Sequence, residues 1–186
     1  LTSKEYMKVD NLAFHMTRLP TTTLTITNEN SKFLNNIEEY DFYKNFGIAK
    51  TSVYPSVEFN NDIIFNDTNN TISCFNNCIW LDSIYIPNGV IKIGYSGFKY
   101  CKNLKIITIE SVTSIGNNAF EGCDSLENID ISSVNTIGNN VFKNLKKLKT
   151  IEIPLVTSIG DSVFEGCESL ENIDISSVNT IGNNVF

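Results

Sequence analysis

The sequence predicts a repeat solenoid, in which short parallel strands stack coil upon coil. Three observations carry this reading. The dipeptide Ile-Gly begins at Ile93, Ile115, Ile137, Ile159 and Ile181, each step being 22 residues. A phenylalanine stands five positions beyond each isoleucine, at Phe98, Phe120, Phe142, Phe164 and Phe186. Between them an Ile-x-Ile pair keeps the same step, at Ile107/Ile109, Ile129/Ile131, Ile151/Ile153 and Ile173/Ile175, each pair led by Leu104, Leu126, Leu148 or Leu170. A fixed period held by so many columns is the signature of stacked structural units.

Each part of the unit has a local reason. Ile-x-Ile alternates apolar and outward positions, as a strand with one buried face does. The glycine after isoleucine is expected to take a left-handed backbone conformation that turns the chain. Residues 117–123 are too few for a stable α-helix, so one 3₁₀ or helical turn is expected there. An earlier coil, at a step of 23, runs through Phe75, Cys78, Leu81, Ile84 and Ile86, and the turn Pro87-Asn88-Gly89 absorbs its extra residue. A lone coil buries too little apolar surface to offset the entropy of ordering its backbone, so neighbouring coils must supply the rest of the core.

Residues 58–186 are assigned to this solenoid of 22–23-residue coils, with Ile63 and Phe65 as a weaker first strand. Residues 1–57 lack the register and are assigned to an N-terminal cap or degenerate repeats, with the remnant of an upstream region as the alternative. Within them, residues 21–27 (TTTLTIT) read as a strand. Residues 31–46 read as a helix with Ser31 as its N-cap and Gly47 at its end. Leu1 stands where an initiator methionine would, and Phe186 falls in the middle of a unit, so the sequence is read as a fragment truncated at its C-terminus. An uncapped last coil is expected to associate end to end.

The unit closely resembles the leucine-rich repeats of the BspA-like type, whose pattern is LxxIxIPxxVxxIGxxAFxxCxxL. The match is nearly literal in residues 84–101 (IYIPNGVIKIGYSGFKYC) and 112–131 (VTSIGNNAFEGCDSLENIDI), and it covers residues 75–186. Leu145 departs from the cysteine column, and proline is absent after Ile109, Ile131 and Ile175. The resemblance implies a leucine-rich repeat solenoid with a parallel sheet on the concave face and short helical or irregular turns on the other. It also implies protein binding or adhesion.

Chemistry-bearing motifs are sparse. His15 stands alone, which removes most His-based metal clusters and nucleophile pairs. Cys78, Cys101, Cys123 and Cys167 share a column that points into the core and read as reduced structural thiols. Cys74 and Cys78 do not make a zinc site without a second pair. The phenylalanine column reads as a packed spine, and Trp80 as core or core edge. Two glycosylation sequons, at Asn66 and Asn69, carry little weight where asparagine supplies 26 of 186 residues. No catalytic residue, metal site or cofactor is assigned, so an enzyme is not expected. A net charge of -7 disfavours nucleic acid. No stretch approaches the ~20 apolar residues of a membrane-spanning helix.

Charge has a longer period. Residues 112–142 recur at 156–186 with four changes, so the unit of duplication is two coils. Three columns alternate in sign: Lys99, Glu121, Lys143, Glu165; Lys102, Asp124, Lys146, Glu168; and Lys105, Glu127, Lys149, Glu171. They are expected to form ion-pair ladders that fix coil order, in preference to a recognition strip. A one-coil slip would oppose like charges throughout.

The outward position between the strand isoleucines holds Tyr85, Thr108, Asp130, Glu152 and Asp174, three of them carboxylates with no alternating partner. Screening by solvent, a basic protein partner and a Ca²⁺-like cation are the three readings considered for them, and the first needs no ligand. With Ile106, Asn128, Thr150 and Asn172 on one flank and Glu110 nearby, these residues form the candidate binding face. The function expected is a non-enzymatic protein-interaction or adhesion module, its partner a basic or host/extracellular protein. The alternative is an intracellular scaffold or regulatory subunit for an enzyme. The compartment is left open between cell surface and cytoplasm.

Overall fold

The computed structural model describes residues 23–26, 56–59, 71–72, 75–79, 81–86 and 88–186. The helix read at residues 31–46, the strand at Ile63 and Phe65, and His15, Cys74, Trp80, Pro87 and the sequon asparagines lie outside them. Among the described residues twelve strands follow in chain order: β1 Thr23–Ile26, β2 Ser56–Phe59, β3 Thr71–Ile72, β4 Ser83–Tyr85, β5 Lys92–Ile93, β6 Ile106–Thr108, β7 Ser114–Ile115, β8 Thr136–Ile137, β9 Thr150–Glu152, β10 Ser158–Ile159, β11 Asn172–Asp174 and β12 Thr180–Ile181. Every pairing is parallel.

Two ladders climb the stack. The first has the order β1-β2-β4-β6 and resumes as β9-β11, with the isolated bridge Asn128↔Thr150 between the two segments. Its register sets Ile84 beside Ile107 and Ile151 beside Ile173, one coil apart. The second has the order β3-β5-β7-β8 and resumes as β10-β12, setting Ile93 beside Ile115 and Ile115 beside Ile137. That second ladder was not read as strand from the sequence, because segments of two residues are too short to show the alternation of inward and outward side chains.

Inside the coils the apolar columns pack into one core. Both isoleucines of each Ile-x-Ile pair are buried from Ile84 to Ile153, as are the leucine and valine columns. The phenylalanines form a continuous stack, Phe75-Phe98-Phe120-Phe142-Phe164-Phe186, with ring centroids 5.1–6.0 Å apart and planes within 13° of parallel. Leu145, which replaces cysteine, is fully buried and keeps its column filled.

The side opposite the first ladder has no helix among the described residues. The chain there runs as successive β-turns, in which the amides of Gly97, Lys99 and Cys101 donate to the carbonyls three residues earlier. Helical continuation is broken on both sides of phenylalanine. Asn118 and Gly122 have φ of 59° and 71°, and the equivalent positions Ser96, Tyr100, Asn140, Asn144 and Ser162 are left-handed as well. These turns also hold coils together. The amides of Phe98, Phe120 and Phe142 donate to Ala119, Val141 and Val163 of the next coil, at 2.8–3.0 Å.

The Ile-Gly glycines are not the left-handed residues that the sequence suggested; positive φ among glycines belongs to Gly89, Gly122 and Gly166. Close approach is what requires glycine after isoleucine. A Cβ on Gly116 would sit 3.0 Å from the Gly94 carbonyl carbon and the Tyr95 nitrogen, and one on Gly138 would sit 2.8 Å from the Asn117 nitrogen. Beside this column an amide ladder runs up the stack. Asn139 N–H donates to Asn117 Oδ1 at 2.9 Å, Asp161 N–H to Asn139 Oδ1 at 3.0 Å, and Asn183 N–H to Asp161 Oδ1 at 2.7 Å. Asparagine is therefore used structurally at both the left-handed and the ladder positions.

Two of the three charge columns form ion pairs, and they divide the junctions between them. Lys105 pairs with Asp82, Lys99 with Glu121 and Lys143 with Glu165, each at 2.8 Å, and Lys149 pairs with Glu127 at 3.4 Å. Each pair spans a different junction between consecutive coils, and the two columns take turns. The third column, Lys102, Asp124, Lys146 and Glu168, forms no ion pair among the described residues. The best enclosed pair is Lys99–Glu121, which also receives a hydrogen bond from Tyr100 Oη to Glu121 Oε1 at 3.2 Å. Burial works against the Lys99 charge, yet Glu121 and Tyr100 together outweigh it and hold the ammonium pKa above its usual value.

Two stability predictions follow from this stacking. Gly138→Ala forces backbone atoms of adjacent coils apart and lowers stability by about 1–3 kcal/mol, read as a fall in Tm. Glu121→Lys places like charges together in a nearly buried site and lowers Tm, more at low salt than at high salt. Asp124→Lys, in the unpaired column, shifts Tm much less; equal losses for the two reversals would contradict the assignment.

Candidate interaction surface

The first ladder sorts its outward side chains into columns. In register, Tyr85 lies beside Thr108 and Glu152 beside Asp174, while Thr150 is flanked by Asn172 on one side and Asn128 on the other. Adjacent coils are spaced about 4.8 Å, so nearest outward groups of one column are close neighbours. Of the ten residues read as candidates, nine are exposed and Thr108 is half-buried. Glu110 lies outside the columns, in the turn that follows β6, where its carbonyl accepts a hydrogen bond from Ser133 Oγ at 2.8 Å.

The face is chemically graded along the stack. Its earlier coils expose Tyr85 (46%) and Ile106 (63%), and its later coils carry Asp130, Glu152 and Asp174. Shallow grooves run between coils on the acidic part. One is lined by Asn128, Asp130, Ser132, Thr150 and Glu152, the next by Glu152, Pro154, Asp174 and Ser176.

The carboxylates differ in how they are held. Asp130 Oδ1 accepts the Ser132 backbone N–H at 2.9 Å, and Asp174 Oδ1 accepts that of Ser176 at 2.8 Å. These bonds to the charged form hold both carboxyls below the usual aspartate pKa. Glu152 is followed two residues later by Pro154, which has no N–H to give. The capping serines, Ser132 and Ser176, are signalled in the sequence by the Asp-x-Ser spacing. No group of three or more His, Cys, Asp and Glu among the described residues is arranged to hold a metal ion.

The cysteine column has no place in this surface. The Cys101, Cys123 and Cys167 thiols donate to the carbonyls of Phe75, Phe98 and Phe142 at 2.9, 3.1 and 3.0 Å. Burial pushes the Cys123 thiol well above its usual pKa and that of Cys167 to about 11. Such thiols stay protonated at neutral pH, which removes their nucleophilic form.

Stacked parallel coils, a phenylalanine spine and an outward strand face define a leucine-rich repeat solenoid. The chain belongs to the BspA type leucine rich repeat family, whose model matches residues 70–186 in six copies. Among solved structures it is similar to a leucine rich cell surface protein from Faecalibacterium prausnitzii, with 28% identity and a TM-score of 0.57 over 71% of this chain and 32% of that one. It also shares its fold with the leucine rich repeat protein of T. pallidum, at 20% identity and a TM-score of 0.51 over 89% of this chain and 80% of that one. A leucine-rich repeat protein from Bacteroides ovatus gives 20% identity and a TM-score of 0.50, over 89% of this chain and 46% of that one. The chain thus spans about a third of the F. prausnitzii protein. A comparison with curated proteins gives no match. No helix among the described residues is long and apolar enough to cross a membrane.

The capped aspartates give a pH signature. Their folded pKa values lie below the unfolded one, about 3.9, so their stabilising effect is present above that pH and is lost as pH falls through the folded value. Carboxyl carbon NMR should show Asp130 and Asp174 titrating below ordinary aspartate. Ser132→Pro, which puts in that column the residue found at Pro154, removes the N–H and should return Asp130 toward the ordinary midpoint; an unmoved Asp130 would refute the cap.

Proposed function

We propose that this chain is a protein-interaction or adhesion module that binds its partner on the outward strand face, without catalysis. The observation that carries the reading is the column Asp130, Glu152 and Asp174. The ion pairs that bridge coil junctions lie in other columns, so these three carboxylates contribute nothing to coil order. Like charges one coil apart are unfavourable to the free solenoid. A basic partner relieves that repulsion, which makes binding to it favourable.

The partner fitted to this face is a protein segment whose lysine or arginine side chains meet the acidic coils, with an apolar or aromatic side chain against Tyr85 and Ile106. Exposed Tyr and flat apolar side chains provide contact area at low entropic cost. Adhesion at a cell surface accords with the family and with the name of the F. prausnitzii structure.

The test is binding of a synthetic peptide that alternates lysine with polar residues and ends in leucine, followed by isothermal calorimetry at two salt concentrations. The wild-type chain should bind more weakly as salt rises. The triple variant Asp130→Asn, Glu152→Gln, Asp174→Asn should lose roughly tenfold or more in affinity, at a cost of about 1.4 kcal/mol per factor of ten. Equal affinity of the two chains would overturn the assignment of the face.

A further inference from the structure

We infer that Asn88 is a site of spontaneous covalent modification, the position in the described repeats where an asparagine side chain cyclises onto the backbone and loses ammonia. The chemistry needs two things: an asparagine amide carbon as electrophile, and the backbone nitrogen of the following residue free to reach it. The chain is rich in the first, with 26 asparagines. The fold withholds the second at most of the described asparagines.

The solenoid commits most of the amides that follow its asparagines. Those after Asn140, Asn183 and Asn184 donate no such bond among the described residues, but they belong to valine or asparagine, whose side chains hinder attack where glycine would not. The N–H after Asn117 is that of Asn118, which donates to Asn139 O at 2.9 Å; the N–H after Asn139 is that of Asn140, which donates to Asp161 O at 2.9 Å. The amides after Asn103, Asn135, Asn144 and Asn179 donate to Cys101, Thr113, Phe142 and Thr157 at 3.0–3.3 Å. A nitrogen held in such a bond cannot swing toward its neighbour's side chain without opening the stack. Asn88 is followed by Gly89, whose N–H makes no hydrogen bond among the described residues.

Local geometry adds to this. Asn88 and Gly89 are both exposed, and they form the Asn-Gly pair of the sequence, in the turn that absorbs the extra residue of the 23-residue step. Gly89 has φ of 104° and no Cβ to obstruct attack. Ser111 Oγ donates to Asn88 Oδ1 at 2.9 Å, which draws electron density from the amide carbon.

The step balances with water as co-reactant. The Gly89 nitrogen attacks Asn88 Cγ and gives up its proton, the bond from Cγ to the side-chain nitrogen breaks, and ammonia leaves a five-membered succinimide. Water then opens the ring. Addition at Cγ gives aspartate, and addition at the main-chain carbonyl of residue 88 gives isoaspartate, with the chain rerouted through the side chain. Nothing is oxidised or reduced. Each route adds one negative charge to a chain at -7.

The experiment ages the whole folded chain at mildly alkaline pH and maps its peptides by mass spectrometry with fragmentation that separates isoaspartate from aspartate. The peptide of Asn88 should convert to both acids, with a one-charge acidic shift in isoelectric focusing. Peptides holding Asn117, Asn139 and Asn144 should keep their amides over the same period. Asn88→Gln, whose longer side chain closes a less favourable ring, should abolish the acidic shift while circular dichroism reports an unchanged fold. The same ageing in urea should spread conversion to the ladder asparagines. Retention of the Asn88 amide in the folded chain, or earlier conversion of a ladder asparagine, would overturn the inference.

Discussion

Everything in this molecule depends on how closely one coil can approach the next. Parallel ladders fix the separation at about 4.8 Å, and every other column must accommodate it. Flat phenylalanine rings stack at 5.1–6.0 Å, slightly wider than the strand spacing, and so fill the core without forcing the ladders apart. Glycine follows isoleucine because a Cβ there would meet the backbone of the preceding coil. The left-handed residues that flank phenylalanine, Asn118 and Gly122 among them, interrupt helical winding on the turn side. A full α-helix would need an interaxial distance of 8–10 Å, which a coil spacing of this size cannot provide.

Much of this was legible in the sequence, because stacking acts on whole columns. Ile84, Ile107, Ile129 and Ile151 are buried as their alternation required, and the phenylalanine column is the spine that its period implied. The candidate face was legible for the same reason: Thr150 and Asn172, or Glu152 and Asp174, fall side by side once the period is known. What the period could not convey was conformation within the unit. Gly116 and Gly138 recur whether glycine is needed for a positive φ or for space, and only the distance to the preceding coil decides between them. Likewise, alternation of sign shows that Lys102 and Asp124 are neighbours, but not that their side chains remain apart while Lys99 and Glu121 meet.

The outward face owes its freedom to this division of labour. Backbone ladders, the amide column of Asn117, Asn139 and Asp161, and the lysine–carboxylate pairs hold the coils from other sides. Residues such as Tyr85, Ile106 and Glu152 can then change without altering the stack. The stack is thereby held by one set of columns of the unit while another is left free to vary over a constant core.

The ion pairs impose an arithmetic on the array. Because lysine-bearing and acid-bearing coils alternate, loss of one coil by recombination would bring two coils of the same sign into contact at a junction. Loss or gain of two leaves every junction matched. Arrays of this type should therefore vary in length by even numbers of coils, in increments of about 10 Å, twice the strand spacing. The charge columns act as a parity check on copying, and a surface built this way lengthens in quantised steps.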